Sequence, residues 1–92
     1  MTLLDAAGRY ALIAAHPEWT VSDRSMTRTF EFADFVEAMG FVTKVAILSE
    51  KAFHHPDIDL RWNRVTLTLS THSAAGLTDQ DATLAAAIDR LV

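Results

Sequence analysis

Apolar residues recur every three or four positions in two stretches of the chain, residues 2–15 and 33–51. This spacing places them on one face of a helix. The first helix should end at His16-Pro17, because the residue before a proline is disfavoured in helical geometry. Gly40, inside the second helix, is an unfavourable helix residue. It therefore predicts close packing of another backbone at that point.

Four shorter stretches have the character of β-strands. Residues 19–21 and 26–32 lie on either side of a polar turn and suggest a hairpin. A loop over residues 53–59 then leads into a short strand at 60–62. A longer strand follows at 65–71, where apolar and polar residues alternate. Such alternation gives a strand one apolar and one polar face.

The last helix is predicted over residues 78–91. Thr78 and Asp81 have the spacing of a capping box at its start. The element order is therefore α-β-β-α-β-β-α. The simplest two-layer arrangement is an α+β fold, a four-stranded antiparallel sheet with three helices on one face. We expect one domain over residues 1–92, because a chain this short can build only one core.

Composition and charge narrow the functional classes. Half of the 92 residues are hydrophobic and 22% are charged, which is typical of a compact domain. The net charge is −4 without a basic run, which disfavours direct nucleic-acid binding. No cysteine is present, so self-association is the expected supplement to a small core. The first 15 residues do not resemble a signal peptide and no apolar run suits a membrane span, so we expect a cytoplasmic protein.

Three of the four histidines lie close together in the sequence. His54 and His55 fall on the predicted loop, and His72 follows the last strand on its polar side. Imidazole suits proton transfer near neutrality, since its unperturbed pKa is about 6.5. The alternative is a set of hydrogen-bonded surface histidines without a function. A zinc site is disfavoured, because adjacent rings normally diverge and the chain has neither cysteine nor an HExxH motif.

A multi-part motif extends from Glu50 to Asp81. Its parts, in order, are Glu50-Lys51-Ala52-Phe53-His54-His55-Pro56, Trp62-Asn63, Val65, Leu69-Ser70-Thr71-His72, Gly76-Leu77-Thr78 and Asp81. This motif resembles the signature of the pterin-4a-carbinolamine dehydratase family, and the resemblance covers about residues 19–91. One departure is Glu18, which stands before Trp19 where the family often has glycine.

The resemblance implies an enzyme that removes water from 4a-hydroxytetrahydropterin to give a quinonoid dihydropterin, in tetrahydropterin recycling, without a metal or other cofactor. It implies that His54, His55 and His72 are catalytic. His55 and His72 would form the proton-transfer pair, and His54 would hold the pterin or the leaving hydroxyl. The candidate substrate-binding residues are Glu50, Pro56, Asp57, Trp62, Thr71, Ser73 and Asp81.

Several of these residues have a second interpretation. Asp81 is better explained as a helix cap. Trp62 could form an aromatic wall for the pterin or anchor its strand in the core. Glu50 could orient His54 or simply be a solvated residue at a helix end.

The same resemblance allows two functions. Relatives of the family also act as dimerisation cofactors of a homeodomain transcription factor or as assembly factors, so a non-catalytic protein–protein module is the alternative. Retention of all three histidines favours the enzyme, since a scaffold has no need of them. In either case the family implies a homodimer or homotetramer that associates through sheet edges and helix faces.

Overall fold

The predicted element order is confirmed in the computed structural model, which describes residues 2–92. The helices are α1 (Ala6–Ala15), α2 (Phe35–Ala52) and α3 (Asp79–Asp89). The strands are β1 (Thr20–Val21), β2 (Met26–Glu31), β3 (Asp57–Arg61) and β4 (Arg64–Leu69), and a 3₁₀ turn at His72–Ala74 follows β4. Among residues 2–92, no helix is both long and apolar enough to cross a membrane.

The four strands form one antiparallel sheet in the order β1-β2-β4-β3. On one face of its central strand β4, the side chains of Val65, Leu67 and Leu69 are fully buried, as the alternation predicts. They belong to one apolar cluster with residues of all three helices. The other face bears threonines, and the Oγ1 atoms of Thr29 and Thr66 are 2.9 Å apart. The helices therefore cover one face of the sheet.

Aromatic side chains join the sheet to α2. The ring centroid of Phe41, on α2, lies 4.7 Å from that of Phe30 and 4.9 Å from that of Phe32. Trp19 packs edge-on against Phe30 at 6.2 Å. Each of the buried rings contributes about 1.5 to 3 kcal/mol through burial. This cluster fixes α2 across the sheet and so fixes where the end of α2 lies.

Helix α1 begins later than the predicted Thr2. The Asp5 side chain accepts a hydrogen bond from the Gly8 N–H at 2.8 Å, and this cap starts the helix at Ala6. The preceding Leu4 N–H donates to the Leu77 carbonyl at 2.8 Å, which ties the N-terminal segment to the loop before α3. The contact is close, because a Cβ at Gly76 would lie 2.8 Å from Leu3 Cδ2.

Two other predictions from the sequence, the start of β3 and the packing at Gly40, are wrong. Strand β3 begins at Asp57 rather than at residue 60, so the predicted loop is reduced to residues 54–56. An edge strand tolerates the charged side chains of Asp57 and Asp59, because their side of the strand faces water. Gly40 has no packing partner: apart from the backbone of its own helix and its chain neighbours, no heavy atom lies within 4 Å of a Cβ built there, and the residue is exposed.

Candidate active site

The first two histidines are placed by the end of α2. Phe53 ends this helix in the left-handed conformation, with φ 52° and ψ 38°. The His54 N–H then donates to the Ser49 carbonyl at 3.1 Å, and the Phe53 N–H donates to the Glu50 carbonyl at 3.3 Å. These two bonds define a Schellman motif, which turns the chain sharply at a helix end. His54 and His55 therefore follow directly from a rigid element.

His72 is placed by a short locked loop after β4. It begins the 3₁₀ turn and is exposed, so it lies beyond the strand rather than on it. Thr71 and Gly76 close this loop, since the Thr71 N–H donates to the Gly76 carbonyl at 2.8 Å and the Gly76 N–H donates back at 3.3 Å. The predicted strand over residues 65–71 is too long at its end, because β4 ends at Leu69. Strand alternation therefore does not determine which way the His72 side chain faces.

A buried carboxylate holds the ring of His54. His54 Nε2 donates to Asp81 Oδ1 at 2.6 Å; the His54 side chain is 10% exposed and that of Asp81 is fully buried. The other oxygen, Asp81 Oδ2, accepts from Thr71 Oγ1 at 2.7 Å and from the Thr78 N–H at 2.9 Å. With three donors on one carboxylate, both the orientation and the tautomer of His54 are fixed, since Nε2 must carry a proton.

Asp81 also caps α3, as the sequence predicts. Thr78 and Asp81 form the capping box, in which the Thr78 side chain and the Asp81 side chain satisfy the first N–H groups of the helix. Thr78 Oγ1 lies 2.8 Å from Thr71 Oγ1, which joins the cap to the loop that carries His72. One carboxylate therefore acts both as a helix cap and as the partner of His54.

His55 has a different setting. Its Nε2 contacts Glu50 Oε2, and both side chains are largely exposed, at 58% and 78%. The suggestion that Glu50 orients His54 is wrong, because the Glu50 carboxylate contacts His55 and the His54 ring is held by Asp81. His55 can exchange protons with solvent, whereas His54 is held and largely covered.

All three histidines line one surface hollow of about 500 Å³. The lining residues are Phe53, His54, His55, Ser70, Thr71, His72, Ser73 and Gln80. Of the predicted substrate-binding residues, Thr71 and Ser73 line the hollow. Asp81 lies behind His54 and Glu50 adjoins His55.

Three predicted residues do not line the hollow. Pro56 lies between the histidines and β3, and Asp57 begins β3 opposite Thr68. Trp62 lies in the β3–β4 turn, at the other end of β3 from His55, and is 67% exposed. Its side chain therefore does not anchor the strand in the core.

Three lining residues were not singled out from the sequence. Phe53 and Ser70 belong to the motif, directly before His54 and Thr71, and Gln80 directly precedes Asp81, so sequence position next to a predicted site residue was the available signal. Among residues 2–92, no group of three or more histidine, aspartate or glutamate side chains is arranged to hold a metal ion.

The chain is therefore a small α+β domain with a surface hollow lined by three histidines. The family follows from comparison with known proteins. The family model for pterin 4 alpha carbinolamine dehydratase matches residues 2–91, so the chain belongs to that family.

Individual relatives agree with this assignment. A protein of Chloroflexus aurantiacus, provisionally named a pterin-4-alpha-carbinolamine dehydratase, is 52% identical over 80 residues, covering 87% of this chain and 86% of the relative. A protein of Acidobacterium capsulatum with the same provisional name is 51% identical over 80 residues, covering 87% of each chain.

Two solved structures are similar to the chain. The crystal structure of a transcriptional coactivator/pterin dehydratase from Brucella melitensis has a TM-score of 0.93 and 33% identity, and the match covers 98% of each chain. A pterin dehydratase-like protein identified as a RuBisCO assembly factor in the alpha-carboxysome has a TM-score of 0.67 and 24% identity, covering 79% of this chain and 84% of that one. The second similarity concerns the fold alone.

Proposed function

We propose that the chain catalyses the dehydration of 4a-hydroxytetrahydropterin to quinonoid dihydropterin and water. The observation that carries this proposal is that His54, His55 and His72 line one hollow, although 16 residues separate the last two in sequence. Family membership supplies the substrate class, and the imidazoles supply the groups that the reaction requires.

The reaction needs one acid and one base. The acid donates a proton to the 4a-hydroxyl, and the C4a–O bond breaks with its electron pair, releasing water. The base removes the proton from the adjacent ring N–H, whose electron pair forms the new C=N double bond. The acid has then lost one proton and the base has gained one, so exchange with water restores both.

The settings of the histidines support a division of these roles. His55 and His72 are exposed, so each can exchange its proton with solvent after every turnover. His54 is 10% exposed and fixed by Asp81, which suits it to holding the pterin or the leaving hydroxyl in place. We therefore propose His55 and His72 as the proton-transfer pair and His54 as the binding group.

The test is a direct assay of the purified protein. Freshly generated 4a-hydroxytetrahydropterin is mixed with the protein, and its conversion is followed by absorbance. We expect His55→Ala and His72→Ala each to lower kcat by about 10² or more, the usual contribution of a general acid or base. His16→Asn removes the imidazole outside the hollow and should leave kcat unchanged. A His54→Ala variant more damaging than the other two would contradict the division of roles.

The second candidate function is a protein–protein module without catalysis. It is supported by exposed apolar side chains on α2, where Val36 is 77% and Ile47 is 63% exposed. A wild-type rate equal to that of buffer would reject the enzyme and leave this alternative. Activity that falls in the histidine variants would establish the enzyme.

A further inference from the structure

Phe53 has an unfavourable backbone conformation for its residue type. It ends α2 with φ 52° and ψ 38°, in the left-handed region. A helix end of this kind normally carries glycine or asparagine, because a bulky side chain crowds the carbonyl oxygen there. The position therefore carries a conformational cost that glycine would avoid.

Burial of the Phe53 side chain contributes little to the stability of the folded chain. It is 87% exposed, the highest exposed fraction of any large hydrophobic side chain in residues 2–92. Phenylalanine normally stabilises a protein through burial of its ring. Trp62 shares both features, with φ 49° and 67% exposure, but it lies away from the hollow. Only Phe53 combines them with a place in the lining of the hollow, where a ligand could cover its ring.

The lining of the hollow shows where that ligand binds. Phe53 is its only apolar side chain, since the other seven lining residues are histidine, serine, threonine or glutamine. A flat nitrogen heterocycle has polar edges and an apolar face. The polar side chains match the edges, and the Phe53 ring is the one apolar surface available to the face.

We propose that Phe53 is a substrate-binding residue that stacks on the ring face of the pterin. This inference rests on the proposed function for its substrate and goes beyond it in assigning the stacking group. Because stacking holds the substrate before and during the reaction alike, it lowers KM and leaves kcat nearly unchanged.

The test separates binding from folding by substituting Phe53. In Phe53→Gly, KM should rise about 10-fold with kcat within about 2-fold, from the loss of one stacked ring. The same variant should unfold at a higher temperature than wild type, because glycine relieves the left-handed strain. Phe53→Tyr keeps the ring and should keep the KM. Tyr10→Ala, which removes a 72% exposed ring on α1, outside the hollow, should leave KM unchanged.

A binding measurement distinguishes failure of this inference from failure of the proposed function. Fluorescence titration with 7,8-dihydrobiopterin, a stable pterin, needs no turnover. If the wild type lacks dehydratase activity, the proposed function fails; weaker binding by Phe53→Gly than by wild type would still support stacking. Equal binding by the two, or no binding by either, would overturn the role of Phe53, whatever the activity.

Discussion

Asp81 is a single residue that both stabilises the fold and orients a side chain of the candidate site. It caps α3 and at the same time holds His54, with Thr71 and the Thr78 N–H on its second oxygen. The sequence presented capping and substrate contact as alternatives for this residue. The structure supports the cap and adds a partner 27 residues away in sequence, which no local spacing could reveal.

Asp81→Asn should therefore be costly to both stability and activity. The amide nitrogen that replaces one oxygen cannot accept hydrogen bonds, so buried donors lose their partner at a cost of about 2 to 3 kcal/mol. We expect urea unfolding to show this loss, and the dehydratase assay to show a fall in kcat/KM. Asp79→Asn, an exposed change in the same helical turn, is the control and should alter stability by less than about 0.5 kcal/mol. Equal free energies of unfolding for the two variants would contradict the structural role of Asp81.

At the scale of elements, α3 is tied to the rest of the fold at both ends. At its C-terminal end, Asp89 Oδ1 accepts from Trp19 Nε1 and from Arg28, both at 2.8 Å, while Oδ2 lies 2.9 Å from His16 Nδ1. The Arg28 guanidinium also lies 4.3 Å from the centroid of the Phe30 ring. One residue thus joins α3 to the end of α1, the start of β1 and the middle of β2.

Removing this tie should destabilise the protein without changing the chemistry of the hollow. Asp89→Ala leaves partly buried donors unpaired, and we expect a loss of about 2 to 3 kcal/mol in urea unfolding, with KM unchanged below the transition. Glu31→Ala removes the exposed partner of Arg64, in a pair with exposed fractions of 65% and 58%. It should cost less than about 1 kcal/mol. A similar loss of unfolding free energy in Asp89→Ala and Glu31→Ala would show that Asp89 acts only as a surface charge.

Hydrophobic periodicity, together with the polar turn and the capping box, predicted the order of the three helices and four strands, because these elements pack around one core. It misplaced the start of α1, which depends on the Asp5 cap, and the start of β3, whose Asp57 and Asp59 resemble loop residues. Their alternation with Ile58 and Leu60 was the signal for a strand.

The site was predictable only where the family motif contains its residues. The motif identified the three histidines that the structure brings together in one hollow. It included Trp62, which lies at the far end of β3, and gave Phe53 no role. The exposure and backbone conformation of Phe53 could not be foreseen, because they depend on where α2 ends.

At the scale of the whole molecule, self-association stays a prediction of the sequence. Its structural support is a set of exposed apolar side chains along one helix, α2, of which Val36, Met39 and Ile47 are 77%, 41% and 63% exposed. Gly40 lies among them with open space above it, which would let another chain approach closely.

We expect light scattering at micromolar concentration to give a mass of two or four times the 10.2 kDa chain. Ile47→Glu should shift the mass towards that of one chain, because a charge in an apolar interface is costly. Val92→Glu is a control at an exposed residue outside α2 and should leave the mass unchanged. A mass of one chain for the wild type would refute association.

The pairing of Leu4 with Leu77 affects how the protein should be handled. Leu3 packs beside Gly76 and the Leu4 N–H bonds to the Leu77 carbonyl, at the base of the loop that carries His72, so a purification tag placed upstream would emerge near this loop. At 1.5 Å per residue, the eight residues of α3 after Asp81 carry the chain about 12 Å away from Asp81 before Val92 is reached. A tag fused after Val92 therefore leaves the mouth of the hollow unobstructed.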